Sequence, residues 1–135
     1  DLVVISPDGE PENSIPTAIS SIDLEADAKF TVIEVQDPSQ AILAARAWSR
    51  SQKARNGTEP IVILLDNMGP SECESTGESL KRLGLREWCI LEGSGGIKIE
   101  DLQSWTAVSG VDVVSSSEMN MNSGTFDFSM LIGGV

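Results

Sequence analysis

Histidine is absent from this 135-residue sequence, and cysteine occurs only twice, at Cys73 and Cys89. The two thiols are not in a Cys-x-x-Cys arrangement, and with no histidine beside them neither a zinc site nor a redox pair is indicated. They are expected to be plain buried or surface thiols. Cations are scarce as well: nine Lys and Arg stand against twenty-one Asp and Glu, a net charge of −12. That excess repels a phosphate backbone at long range and leaves no basic stripe, so no nucleic-acid partner is expected. A small phosphorylated ligand stays open, because backbone N–H groups at a helix start bind phosphate without Lys or Arg. Long apolar runs are missing too. Even the longest, such as residues 61–65, are far too short to cross a bilayer. With no membrane segment and no secretory signal, a reducing, cytoplasmic location is expected. The chain opens on Asp1, Leu2, Val3, Val4 and Ile5, which reads as the middle of a strand and predicts a fragment or a processed chain.

What is present is the composition of one ordinary domain. Hydrophobic residues make up 40% of the chain, enough for a single core over residues 1–135. Short apolar, β-branched runs at residues 2–5, 30–35, 61–65, 88–91 and 111–114 predict about five strands. Residues 14–26, 38–51, 70–83 and 99–108 between them have helical composition. Asp37 before Pro38 supplies an N-cap and a first-turn proline, and Ser71 with Glu74 has capping-box spacing. The order β-α-β-α-β-α-β-α-β predicts an α/β fold with a parallel sheet covered on both faces, and pattern alone leaves an open sheet and a barrel as alternatives.

In either architecture ligands gather at the C-terminal ends of the strands. The residues placed there are Ser6 to Asp8, Glu34, Asp66 with Asn67, Glu92 to Gly96, and Ser115 to Ser117. Ser94, Gly95 and Gly96 lie between an apolar run and a helical stretch. Glycines there let the backbone approach a ligand, the serine offers a hydroxyl, and the next helix offers free N–H groups. A plain turn that merely needs glycine reads the same way. Ser115, Ser116 and Ser117 end the following strand, and a barrel often holds phosphate between the loops after two late, adjacent strands. Glu34 and Asp66 end neighbouring strands, where carboxylates can accept from sugar hydroxyls, hold Mg²⁺ on a pyrophosphate, or stabilise a cationic transition state. Simple capping and solvation are the competing roles. Trp48, Trp88 and Trp105 are expected to pack between helix and sheet, and Met119 and Met121 to fill gaps.

Four segments together resemble quinolinate phosphoribosyltransferases: Leu64-Leu65-Asp66-Asn67-Met68, Leu91-Glu92-Gly93-Ser94-Gly95-Gly96-Ile97, Gly110-Val111-Asp112-Val113-Val114-Ser115, and Phe126-Asp127-Phe128-Ser129. They occur in that family's order and spacing. The resemblance implies the C-terminal part of a parallel α/β barrel, with the N-terminal sandwich domain and first barrel strands absent and the barrel completed by missing or partner segments. It implies phosphoribosyl transfer from phosphoribosyl pyrophosphate to quinolinate, with Mg²⁺, giving nicotinate mononucleotide, CO₂ and pyrophosphate in NAD biosynthesis. Glu34 and Asp66 would then be the carboxylates facing ribose and metal. Ser94, Gly95 and Gly96 would form the phosphate loop, and Ser116 and Ser117 the second phosphate turn. A homodimer or a companion chain is implied as partner.

The chain also departs from that family. Ile5, Ser6, Pro7, Asp8 and Gly9 stand where the family usually has Lys-Asp-Asn-His, which removes a cationic partner for the dicarboxylate. Ser117 and Glu118 stand where a glycine is common, and a carboxylate pointing into a phosphate site would repel the ligand. These departures keep two further expectations in view: a scaffold repurposed for another reaction, and a non-catalytic subunit.

Overall fold

A computed structural model describes residues 11–22, 30–107 and 110–118. The strand expected over residues 2–5, the replaced Lys-Asp-Asn-His segment, Met119, Met121 and the Phe126 motif lie outside them. In chain order the elements are α1 (Pro11–Ser20), β1 (Val32–Val35), α2 (Pro38–Ala54), β2 (Ile61–Asp66), α3 (Pro70–Arg82), β3 (Cys89–Ser94), α4 (Leu102–Ala107) and β4 (Val113–Val114). Short 3₁₀ turns at Arg86–Trp88 and Ile99–Asp101 precede β3 and α4.

Local chemistry sets most of these boundaries. Asp37 has extended backbone and its Oδ1 accepts the Gln40 N–H at 2.9 Å, while Pro38 supplies the pre-set first turn of α2. Helix α3 starts at Pro70 as expected, but its cap differs from the expected one. Its N-cap is Gly69, and Pro70 opens the first turn, so Ser71 is already inside the helix and makes no cap. A proline at the first helical position fixes φ one residue ahead of the serine, which leaves the Ser71–Glu74 spacing without a capping role. Strand β3 runs further than the apolar run suggested. Glu92, Gly93 and Ser94 belong to it, and Trp88 falls in the turn before it. Strand β4 is shorter, covering only Val113 and Val114. At β1, Phe30 is 65% exposed and outside the strand.

All four strands are parallel, and their order in the sheet, β1-β2-β3-β4, is their order in the chain. Right-handed crossovers between strands added always on the same side put every connecting helix on one face. This is the winding of a barrel rather than of a doubly wound sheet, whose strand order reverses. The four described strands form an open parallel sheet in chain order.

The sequence pattern predicts cover on both faces; among the described residues the helices cover one face and leave the other half-buried. Burial alternates along β1, β2 and β3. Ile33, Val35, Ile61, Ile63, Leu65, Cys89 and Leu91 are at most 3% exposed and form the core with Ala41, Ala44, Ala45 and Trp48 of α2 and Cys73 and Leu80 of α3. Trp48 anchors the corner by donating its indole N–H to the Glu59 carbonyl at 2.7 Å. The opposite face carries Val32, Val62, Leu64 and Ile90, all only half-buried. No described helix is long and apolar enough to cross a membrane.

Candidate functional site

The half-buried face becomes polar toward the C-terminal ends of the strands. Glu34 of β1 is in register with Leu64 of β2, which is in register with Glu92 of β3. Residues in register on parallel strands share a face, so Glu34 and Glu92 project to the same side with one strand between them. One step further along, Asp66 is in register with Ser94. Strand spacing and rise put the Glu34 and Asp66 Cα atoms about 8 Å apart on the diagonal. Both carboxylates therefore border one rim, although Glu34 is the penultimate residue of β1 and Asp66 the last residue of β2. Asp66 accepts the Asn67 side-chain N–H at 3.0 Å.

Beyond β3 the chain turns at Gly95 and Gly96, both with positive φ, +91° and +59°. Gly95 lies against the preceding loop: a Cβ there would come within 2.6 Å of the Asn67 nitrogen. Asn67, itself at φ +55°, donates its backbone N–H to the Ser94 carbonyl at 3.1 Å. The segment after β2 and the glycine turn after β3 are thus locked edge to edge.

Ser94, Gly95 and Gly96 form one wall of an open pocket of about 520 Å³, and Val114, Ser115, Ser116 and Ser117 form the other. The residues singled out as two phosphate patches share this cavity. Their hydroxyls differ in state. Ser115 donates to a Glu92 carboxylate oxygen, and Ser116 donates to the Ile97 carbonyl while accepting the Glu118 N–H. The hydroxyls of Ser94 and Ser117 hold no hydrogen bond among the described residues. Among the described residues no Lys or Arg lines the pocket, and the donors they offer an anion are hydroxyls and backbone N–H groups. The helix behind it offers less than its composition suggested: it begins as a 3₁₀ turn, and the Ile99 N–H is already held by the Glu118 carboxylate at 2.7 Å. Glu118 is not among the described lining residues, and its carboxylate accepts the Ile99 N–H instead.

Glu92 is a rim residue that has no role of its own in the sequence reading. Gly93 and Ser94 read as loop, which placed Glu92 beyond the strand. In the structure Gly93 is a strand residue, paired with Leu65 and Val114, and the Trp105 ring lies 2.4 Å from where a Cβ would stand, which leaves room only for glycine. Extending the Cys89–Leu91 alternation through that glycine is the signal that puts Glu92 beside Glu34.

The donor set of Glu34 and Asp66 is oxygen only, the type Mg²⁺ takes. Among the described residues no three Asp, Glu or Cys side chains converge on one point. Such a set fits an ion that uses one or two carboxylates and completes its shell from substrate phosphate and water. A second hollow, about 400 Å³ between α1 and α2, is lined by Ile19, Leu43, Arg46 and Arg50 among others. It belongs to the helical layer, away from the strand ends.

Comparison with known proteins places these features. The family model described as quinolinate phosphoribosyl transferase, C-terminal domain, matches residues 12–131. A probable nicotinate-nucleotide pyrophosphorylase (carboxylating) of Methanothermobacter thermautotrophicus is 36% identical over 107 residues, 79% of this chain and 34% of that protein. One of Archaeoglobus fulgidus is 37% identical over 71 residues, 53% of this chain and 27% of that protein. The solved nicotinate-nucleotide pyrophosphorylase from Francisella tularensis shares the fold at a TM-score of 0.59 and 18% identity, covering 84% of this chain and 34% of that one. The chain spans about a third or less of the length of the curated relatives it matches. Because the family model covers nearly all of it, the chain belongs to the quinolinate phosphoribosyltransferase family, to the part described as the C-terminal domain.

Proposed function

We propose that this chain supplies the phosphoribosyl-binding rim of a quinolinate phosphoribosyltransferase, which transfers phosphoribosyl from phosphoribosyl pyrophosphate to quinolinate and yields nicotinate mononucleotide, CO₂ and pyrophosphate. The observation that carries this reading is the single pocket whose walls are Ser94 to Gly96 and Ser115 to Ser117, in a chain of this family. The phosphate monoester of the substrate sits there, held by the Ser94 and Ser117 hydroxyls and by backbone N–H groups.

The rest of the substrate then extends over the rim toward Asp66 and Glu34. As the bond from the ribose anomeric carbon to pyrophosphate breaks, positive charge grows on the ring. Carboxylates fixed beside it stabilise that charge more than they stabilise the neutral ground state, which lowers the barrier. Glu92, tied to Ser115, adds to the same negative field. Glu34 and Asp66 also accept hydrogen bonds from the ribose hydroxyls. Mg²⁺, when bound, neutralises part of the pyrophosphate charge, which an acidic rim otherwise opposes. The cationic grip on quinolinate comes from residues beyond those described, and a second copy or a companion chain completing the barrel is the partner that supplies it. The two buried free thiols suit a reducing compartment, so we assign a cytoplasmic location.

Formation of nicotinate mononucleotide from quinolinate and phosphoribosyl pyrophosphate by the complete protein tests this function. Turnover that needs both substrates is the expected result. A correctly folded protein with no turnover above background would overturn it.

A further inference from the structure

The two walls of the phosphate pocket bond to each other through groups that do not all line it. Ser116 donates its hydroxyl to the Ile97 carbonyl, and the Glu118 N–H reaches the Ser116 oxygen at 3.3 Å. The Glu118 carboxylate then accepts the Ile99 N–H at 2.7 Å, across nineteen positions of sequence. The stretch between Gly96 and the 3₁₀ turn lies in neither strand nor helix, so it is held by the buried Ile97 side chain beneath it and by these cross-links to the second wall. A hydrogen bond to a carboxylate is among the stronger ones available for this purpose.

The geometry points to Glu118 as a positioning residue for phosphate binding: its carboxylate straps the turn that carries Ser117 to the turn that follows Gly95 and Gly96. Resting on the phosphate reading proposed above, this assigns two opposed effects to one side chain. The strap sets the separation of the pocket walls, which favours binding. The negative charge near an anion site disfavours it. Glu118→Gln keeps an acceptor for the Ile99 N–H and removes the charge, whereas Glu118→Ala removes both.

The experiment uses the ¹⁵N-labelled chain with inorganic phosphate as probe. Amide exchange at Ile99 is measured without phosphate, and phosphate is then titrated into the unmodified chain and both variants. The expected result is lost Ile99 protection in Glu118→Ala alone. Phosphate should bind that variant about tenfold more weakly than Glu118→Gln, which binds at least as tightly as the unmodified chain. Rescue by glutamine separates positioning from a loss of folding. Equal Ile99 protection in all three proteins would overturn the strap, and equal phosphate affinity of the two variants would overturn the positioning role. If Ile99 behaves as expected but no protein takes up phosphate in the pocket, the phosphate reading itself fails, and the positioning role with it.

Discussion

The Arg86 guanidinium reaches both carboxylate oxygens of Asp112 at 2.7 Å, and one of those oxygens also accepts the Leu91 N–H at 2.8 Å. Arg86 further donates to the Cys89 carbonyl at 2.8 Å and the Gly110 carbonyl at 3.1 Å. The network fastens β3 to β4 at the entrance of the two strands whose exits carry the pocket walls. In a barrel-type sheet that end serves stability, and the opposite end serves chemistry.

Replacing Asp112 by Ala should therefore lower stability by about 1–2 kcal/mol, because it strands a strand N–H and a guanidinium that are only partly solvated. Urea unfolding measures this directly. The phosphate pocket of the folded fraction should keep its affinity to within about twofold.

Gly95→Ala and Gly96→Ala should differ although both residues have positive φ. A Cβ at Gly95 would strike the Asn67 backbone and side chain, whereas at Gly96 it meets open space. The Gly96 change should cost about 1 kcal/mol of backbone strain and little else. The Gly95 change should displace the Asn67–Ser94 contact and weaken phosphate binding by about tenfold or more. Titration of both variants with phosphate checks the order.

Glu34→Gln and Asp66→Asn should fold normally, since both side chains stand on the half-buried face rather than in the core. Each should lower turnover of the complete protein by about a hundredfold, the loss typical of removing one fixed electrostatic partner of a transition state. Steady-state kinetics should place the loss in kcat more than in KM.

Burial pushes the Cys73 thiol up from 9.0 to about 11, with the neighbouring Glu72 charge adding to the effect. Burial does the same to Cys89, against the pull of Arg86. Both thiols should stay protonated and resist alkylation in the folded chain at pH 8, and react once urea unfolds it. Between pH 9 and about 11 the unfolded thiols lose protons that the folded ones keep, so the stabilisation present below pH 9 should fall away across that window. Unfolding midpoints measured across it test the sign.

Much of this arrangement was legible in the residues because it depends on local pattern. Short apolar, β-branched runs located β1 and β2, Asp37–Pro38 located the start of α2, and the glycine pair marked the turn after β3. What escaped depends on contacts between distant segments. Pairing with Leu65 and Val114 makes Gly93 a strand residue under the Trp105 ring, which puts Glu92 on the rim. Pro70 takes the position that Ser71 would have capped. The Ser116 hydroxyl looks available to a ligand in sequence and is committed to Ile97 in space. The replaced Lys-Asp-Asn-His segment stays an expectation, since it lies outside the described residues.

That the phosphorylated substrate binds in the pocket between Gly95 and Ser117 is tested most directly by amide shift mapping during titration with phosphoribosyl pyrophosphate and Mg²⁺. The largest shifts should fall at Ser94, Gly95, Gly96 and Ser117, with smaller ones at Asp66. Shifts concentrated at Arg46 and Arg50 between α1 and α2, with the glycine turn unmoved, would contradict it.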